Sequence, residues 1–181
     1  AAVTIKLCVV LVFSSVSGQR PVLLPKEVQE WFDTSLENAG DRQPLYNYND
    51  DTLFFSTDSA TVIGYLNGYK RSEGFRTGMI YIGNEFSRAD HSVVVKIYED
   101  GRFETRIPMW YPKVVEMVFN DHWFQCYIEP GQPLGIIIDW PIFRKNENHD
   151  AIQFRGPLAG INRDRKDIPL SKTDDDWLDK Q

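Results

Sequence analysis

The sequence predicts a mainly β protein: an antiparallel β-sandwich of about eight or nine short strands, with an N-terminal amphipathic helix and a short C-terminal helix. Three observations predict it. Short apolar segments follow one another from Thr52 to Phe154, each bounded by Gly, Pro, Asn or Asp. Aromatic residues make up 13% of the 181 residues, and they favour strands. No stretch between successive segments reads as a crossover helix, so strand pairing is expected to be antiparallel.

Residues 1–18 are expected to be an export signal. Lys6 precedes an apolar run from Leu7 to Phe13, and small residues follow from Ser14 to Gly18. That is the order of charge, apolar core and cleavage site, and the run is shorter than the about 20 residues a membrane span takes. No stable membrane span is expected once the signal is removed.

Residues 19–50 read as a helix and a linker. Pro25 suits a first helical turn, Val28, Trp31, Phe32 and Leu36 share one face, and Asn38 to Gly40 end the helix. The segment DRQPLYNYNDD is polar and rich in turn formers.

Residues 51–156 are the expected sandwich. The strands read as TLFFST, ATVIGYL, TGMIYIG, HSVVVKIY, RFETRI, KVVEMVF, HWFQCYI, LGIIIDW and AIQF. Asp100-Gly101 is a strong hairpin signal, and the break FNDH is equally short. Residues 157–181 are expected to open as a short helix after Pro157, with Leu158 and Ile161 inward, and to continue as a charged tail.

Spacing argues against several chemistries. If Tyr127–Ile128 pairs with Gln132–Leu134 across Pro130-Gly131, then Glu129 and Asp139 stand about 23 Å apart at roughly 3.3 Å per residue. Paired glycosidase carboxylates need about 5 to 9.5 Å. The same register sets Asp139 near His122 as a cross-strand polar pair. His122 and Cys126, four residues apart on one strand, are separated by about 13 Å, too far for a nucleophile and its base. Cys126 therefore reads as a buried structural thiol, and no C-x-x-C is present. His91 and His149 stand apart from His122 in sequence, and no zinc-ligand spacing occurs. The loop GYLNGYKRSEGF lacks the phosphate-cradling Gly-Lys pattern. A net charge of −6 without a basic, aromatic-laced stripe argues against nucleic acid as a partner. No catalytic residue, metal or cofactor is assigned.

The aromatics are the functional lead. Trp110 and Tyr111 lie between Pro108 and Pro112, in a loop where burial is hard to enforce. With Tyr65, Tyr69 and Tyr81 they are candidates for a surface that stacks on a sugar or grips a peptide or protein. Packing at the edge of the core is the competing reading.

Three motifs, EDGRFETRIP, WFQCYIEPGQPLGIIID and FRGPLAGINRD, occur in an order that resembles one family. It is similar to the N-terminal β-sandwich domain of exported TlpA/ResA-type thioredoxin-like disulfide reductases of Gram-negative bacteria. The matching positions are Gly101, Arg102 and Phe103, then Glu129, Pro130 and Gly131, then Gly156, Pro157, Ile161 and Asn162. The resemblance implies a periplasmic or envelope location and a non-catalytic accessory or interaction domain, here without the C-x-x-C redox domain. Its partner is then a separate protein or a thioredoxin-like domain of its own. The alternative is a standalone envelope module that binds carbohydrate or peptide.

Overall fold

Two four-stranded sheets stack face to face around one apolar core. The computed structural model describes residues 22–37, 58–83, 91–146 and 149–165. Within them lie α1 (Lys26–Glu37), β1 (Ser59–Asn67), β2 (Thr77–Ile82), β3 (His91–Lys96), β4 (Arg102–Pro108) and β5 (Lys113–Phe119). Then follow β6 (His122–Ile128), β7 (Pro133–Asp139), α2 (Trp140–Asn146), β8 (Ile152–Arg155) and α3 (Ala159–Arg165). The expected mainly β sandwich is therefore the observed fold. The expected export signal, the linker, the segment TLFFST and the charged tail lie outside the described residues.

One sheet has the order β4-β1-β7-β8 and the other β3-β2-β5-β6. Val62, Leu66, Phe103, Ile107, Leu134 and Ile136 meet Ile80, Val95, Met117, Phe119 and Phe124 between them. Alternate residues of β1 and β7 serve a second cluster. Ile63, Tyr65 and Ile137 turn outward and are covered by Val28 and Phe32 of α1. Each large apolar side chain buried in this way contributes about 2 kcal/mol. Burial on both faces explains why VIGYL and GIIID read as nearly continuous apolar runs rather than alternating ones.

The pairing of β1 with β7 is parallel, with Thr61 opposite Pro133 and Asn67 opposite Asp139. This corrects the expectation of an all-antiparallel fold. The connection passes through the other sheet instead of through one crossover helix, so no long helical segment is needed between the paired strands.

The Pro130-Gly131 hairpin is also corrected. β6 pairs with β5 and β7 with β1 and β8, so the turn is a corner between sheets. Gly131 has φ 72°, and the Gln132 N–H donates to the Glu129 carbonyl at 3.2 Å. Proline at the second position and positive φ at the third make a type II turn, whose twist does not suit a two-residue hairpin. The turn is tied to β1 instead: Gly131 N–H donates to Ser59 O, and Thr61 N–H to Gln132 O, each at 3.1 Å. Asp139 accordingly aligns with Asn67, and the expected cross-strand pair with His122 is not formed.

Of the other two expected turns, one closes a hairpin and the other does not. Asn120 and Asp121 take φ 45° and 67°, and Phe119 pairs with His122 in a tight β5–β6 hairpin. At Asp100-Gly101 a tight turn forms, with Tyr98 N–H donating to Arg102 O at 2.8 Å. Its strands then part into opposite sheets, joined only by a bridge between Ile97 and Phe103.

Trp140 begins α2 and does not end a strand. The indole is fully buried and donates to a Glu73 carboxylate oxygen, while Arg144 pairs with the other oxygen at 3.2 Å. Glu73 thus fastens the segment after β1 to α2. His122 packs edge-on against Trp140, with ring centroids 5.7 Å apart. Among the described residues no helix is long and apolar enough to cross a membrane.

Candidate functional site

The two sheets do not end alike on their two sides. On one side, β6 is an edge strand whose outward backbone groups at Tyr127 are met by α3. Asn162, only 3% exposed, accepts from the Tyr127 N–H at 2.7 Å and donates to the Tyr127 carbonyl at 2.9 Å. The same amide nitrogen lies 2.9 Å from the Leu158 carbonyl. The Tyr127 phenol folds back to donate to buried Glu129 at 2.9 Å. A side-chain amide here occupies the place of a neighbouring strand.

On the opposite side, β3 and β4 are the edges. They touch at Ile97 and Phe103 and diverge toward His91 and Pro108. The wedge between them is a cleft of about 340 Å³. Ile82, Val93, Pro108 and Met109 form its apolar walls, and Trp110 stands at the mouth, 66% exposed. Lys113 lies at the rim with its ammonium 5.0 Å from the Tyr111 ring centroid and bonded to the Gly83 carbonyl. This cation holds the aromatic loop against the end of β2. A second hollow of about 470 Å³ opens at the other end of β3, lined by Tyr69, Arg71, Arg76, Thr77, Lys96 and Tyr98 among others. There Arg71 pairs with Glu99.

The aromatic residues singled out from the sequence divide among these places. Trp110 and Tyr111 line the cleft. Tyr69 belongs to the second hollow, where its hydroxyl donates to the Phe75 carbonyl at 2.6 Å. Tyr81 lies on the outer face of its sheet, away from both. Tyr65 is corrected: it is 7% exposed and sits in the core beneath α1, so it joins no binding surface. Burial pushes its phenol pKa up, and the Asp100 carboxylate adds to the shift. The strand on which Tyr65 lies is buried on both faces, which a single aromatic in an apolar run does not reveal.

The motif residues are structural and meet at three joints. Gly101 has φ 91°, and its carbonyl accepts from the Leu66 N–H at 2.9 Å. The Arg102 guanidinium lies 5.6 Å from the Trp31 ring centroid and is bound by Asp100, and Phe103 is fully buried. Gly64 leaves the space that Phe103 fills: a Cβ there would lie 1.9 Å from the ring. Glu129, Pro130 and Gly131 form the corner, and Asn162 locks onto the strand leading into it. Gly156, with φ 87°, and Pro157 turn the chain from β8 into α3.

Sequence reading missed Ile82, Val93, Met109 and Lys113 as cleft residues. Their convergence depends on which strands become edges, a long-range property with no local signature. The Cys126 thiol is buried in the core. No protein-family model, curated protein or solved structure matches the chain.

Proposed function

We propose that this chain is a non-catalytic interaction module whose working surface is the cleft at Trp110. The observation that carries this reading is a large exposed indole at the mouth of an apolar, partly enclosed cavity, held in place by the Lys113 contacts. Such a cavity favours an apolar side chain of a peptide or protein. A sugar-binding cleft needs several hydrogen-bonding side chains beside its aromatic platform, and here Ile82, Val93, Pro108 and Met109 outnumber the polar His91 and Lys113. In the setting suggested by the resemblance, the sandwich grips a partner or a substrate protein of an exported thioredoxin-like reductase while the redox chemistry belongs to another domain.

Titration of the protein with peptides carrying one large apolar residue, alongside a panel of oligosaccharides, tests this. Tryptophan fluorescence is expected to respond saturably to peptides and not to glycans. Trp110→Ala is expected to abolish the response while leaving the unfolding midpoint within about 2 °C, since the indole is mostly exposed. An unchanged response in Trp110→Ala, or saturation by a glycan instead, overturns the reading.

A further inference from the structure

β3 lies between the apolar cleft and the cationic hollow. His91 and Val93 line the first, and Lys96 and Ile97 line the second. It is also an edge strand, paired only with β2 along its length. The phase of its hydrogen bonding is fixed by the Ile97 N–H, which donates to the Arg76 carbonyl at 3.0 Å. In an antiparallel pair, residues directing their backbone groups at the partner alternate with residues directing them away. Counting back from Ile97, residues 95, 93 and 91 face β2, so Ser92 and Val94 turn their N–H and C=O groups outward, while at Lys96 the Ile97–Phe103 bridge brings β4 against that side. Among the described residues no strand pairs with that side of β3 at Ser92 and Val94. The equivalent outward groups of β6, at Tyr127, are met by Asn162.

We infer that an extended peptide adds to β3 as a fifth strand, placing an apolar residue in the Trp110 cleft and an acidic residue at Arg76 and Lys96. This rests on the reading above and gives it a mode and a ligand class. Three features of the edge support it. The outward groups of Ser92 and Val94 supply main-chain hydrogen bonds, which give affinity without sequence preference. Val93 points into the cleft, so a peptide side chain on the same face beside it enters the same cavity. At the far end Arg76 and Lys96 provide positive charge in a chain whose net charge is −6, which selects an acidic residue and disfavours a second copy of this protein. From His91 to Lys96 is five strand steps, about 16 Å. Val93 is three steps from Lys96, so the two anchoring residues of the peptide stand about three to five positions apart.

Panning a random heptapeptide library against the folded protein tests the inference, with Trp110→Ala as the comparison bait. Enriched sequences are expected to carry a large apolar residue with Asp or Glu about three to five positions away. The selected peptide is expected to bind Val94→Pro about tenfold more weakly or worse. Proline at 94 removes an outward N–H without touching the β2 ladder, so the unfolding midpoint is expected to hold. Lys96→Glu is expected to erase the preference for the acidic residue. Should Val94→Pro fold poorly, the same peptide with alternate backbone nitrogens methylated reports the loss of ladder bonds on the unaltered protein. Binding lost in Trp110→Ala yet indifferent both to Val94→Pro and to N-methylation overturns strand addition and leaves the interaction module standing. No enrichment over the Trp110→Ala bait overturns both.

Discussion

The side-chain amide of Asn162 pairs with both backbone polar groups of Tyr127, accepting from its N–H at 2.7 Å and donating to its carbonyl at 2.9 Å. Two motifs 35 residues apart in sequence are thereby one structural joint. Removing the amide strands a buried N–H and C=O together. Asn162→Ala is expected to lower the unfolding free energy by about 2–4 kcal/mol in urea titration at unchanged m. Asn162→Asp keeps the acceptor and loses the donor, so it should fall between wild type and Ala. A loss below about 0.5 kcal/mol for Ala would show the joint to be dispensable.

Gly64 and Phe103 share one volume. With a Cβ at 64 only 1.9 Å from the buried ring, Gly64→Ala is expected to cost about 3 kcal/mol. Phe103→Leu shortens the side chain that blocks it. In a double-mutant cycle the pair should be more stable than additivity predicts by about 1 kcal/mol or more. Strict additivity would place the strain elsewhere.

Tyr65 carries a pH dependence. Its pKa is raised in the folded state, first by burial and then by Asp100, above an unfolded value of about 10. As pH rises past that value the unfolded chain gives up the phenolic proton first. The associated stability is therefore complete below about pH 10 and is lost as pH climbs toward the folded pKa. Tyr65→Phe is expected to flatten the fall in unfolding midpoint above about pH 9.5, and identical alkaline slopes would refute it.

Glu73 holds both the Trp140 indole and the Arg144 guanidinium. Glu73→Ala leaves the buried indole N–H without that acceptor, at a cost of about 1–3 kcal/mol. Amide exchange over residues 71–75 should accelerate, because this anchor to α2 is lost. Unaltered exchange there would mean that the segment is held by the Tyr69–Phe75 contact instead.

The strands were readable because Gly, Pro, Asn and Asp bracket them, and the short break at Asn120-Asp121 marked a hairpin that formed. What local sequence does not carry is partner choice. VIGYL and GIIID look like antiparallel candidates until α1 covers their outer face and sets them side by side in parallel. Pro130-Gly131 marks a reversal correctly, but whether a reversal closes a hairpin or changes sheets depends on Ser59 and Thr61, some seventy residues away. α2 did leave a signal. Pro141 stands near the helix start, Trp140 and Phe143 are three apart on one face, and Arg144 and Lys145 occupy the last turn. The apolar run before it hid that pattern. Of the proposed binding surface, Trp110 and Tyr111 could be read from their proline-flanked loop, whereas the cavity beneath them is made by strands meeting from both sheets.

The Asn162 joint also bears on how this molecule associates. A β-sheet with two open edges can pass strand pairing from one molecule to the next without limit, whereas the β6 edge is occupied by a side chain at Tyr127. The strand addition proposed at β3 would then be a chain-terminating event: one strand is added and growth ends. Loss of the amide would turn a terminator into a propagating end, so the first sign of damage at Asn162 in a concentrated solution should be fibres and not merely a lower melting point.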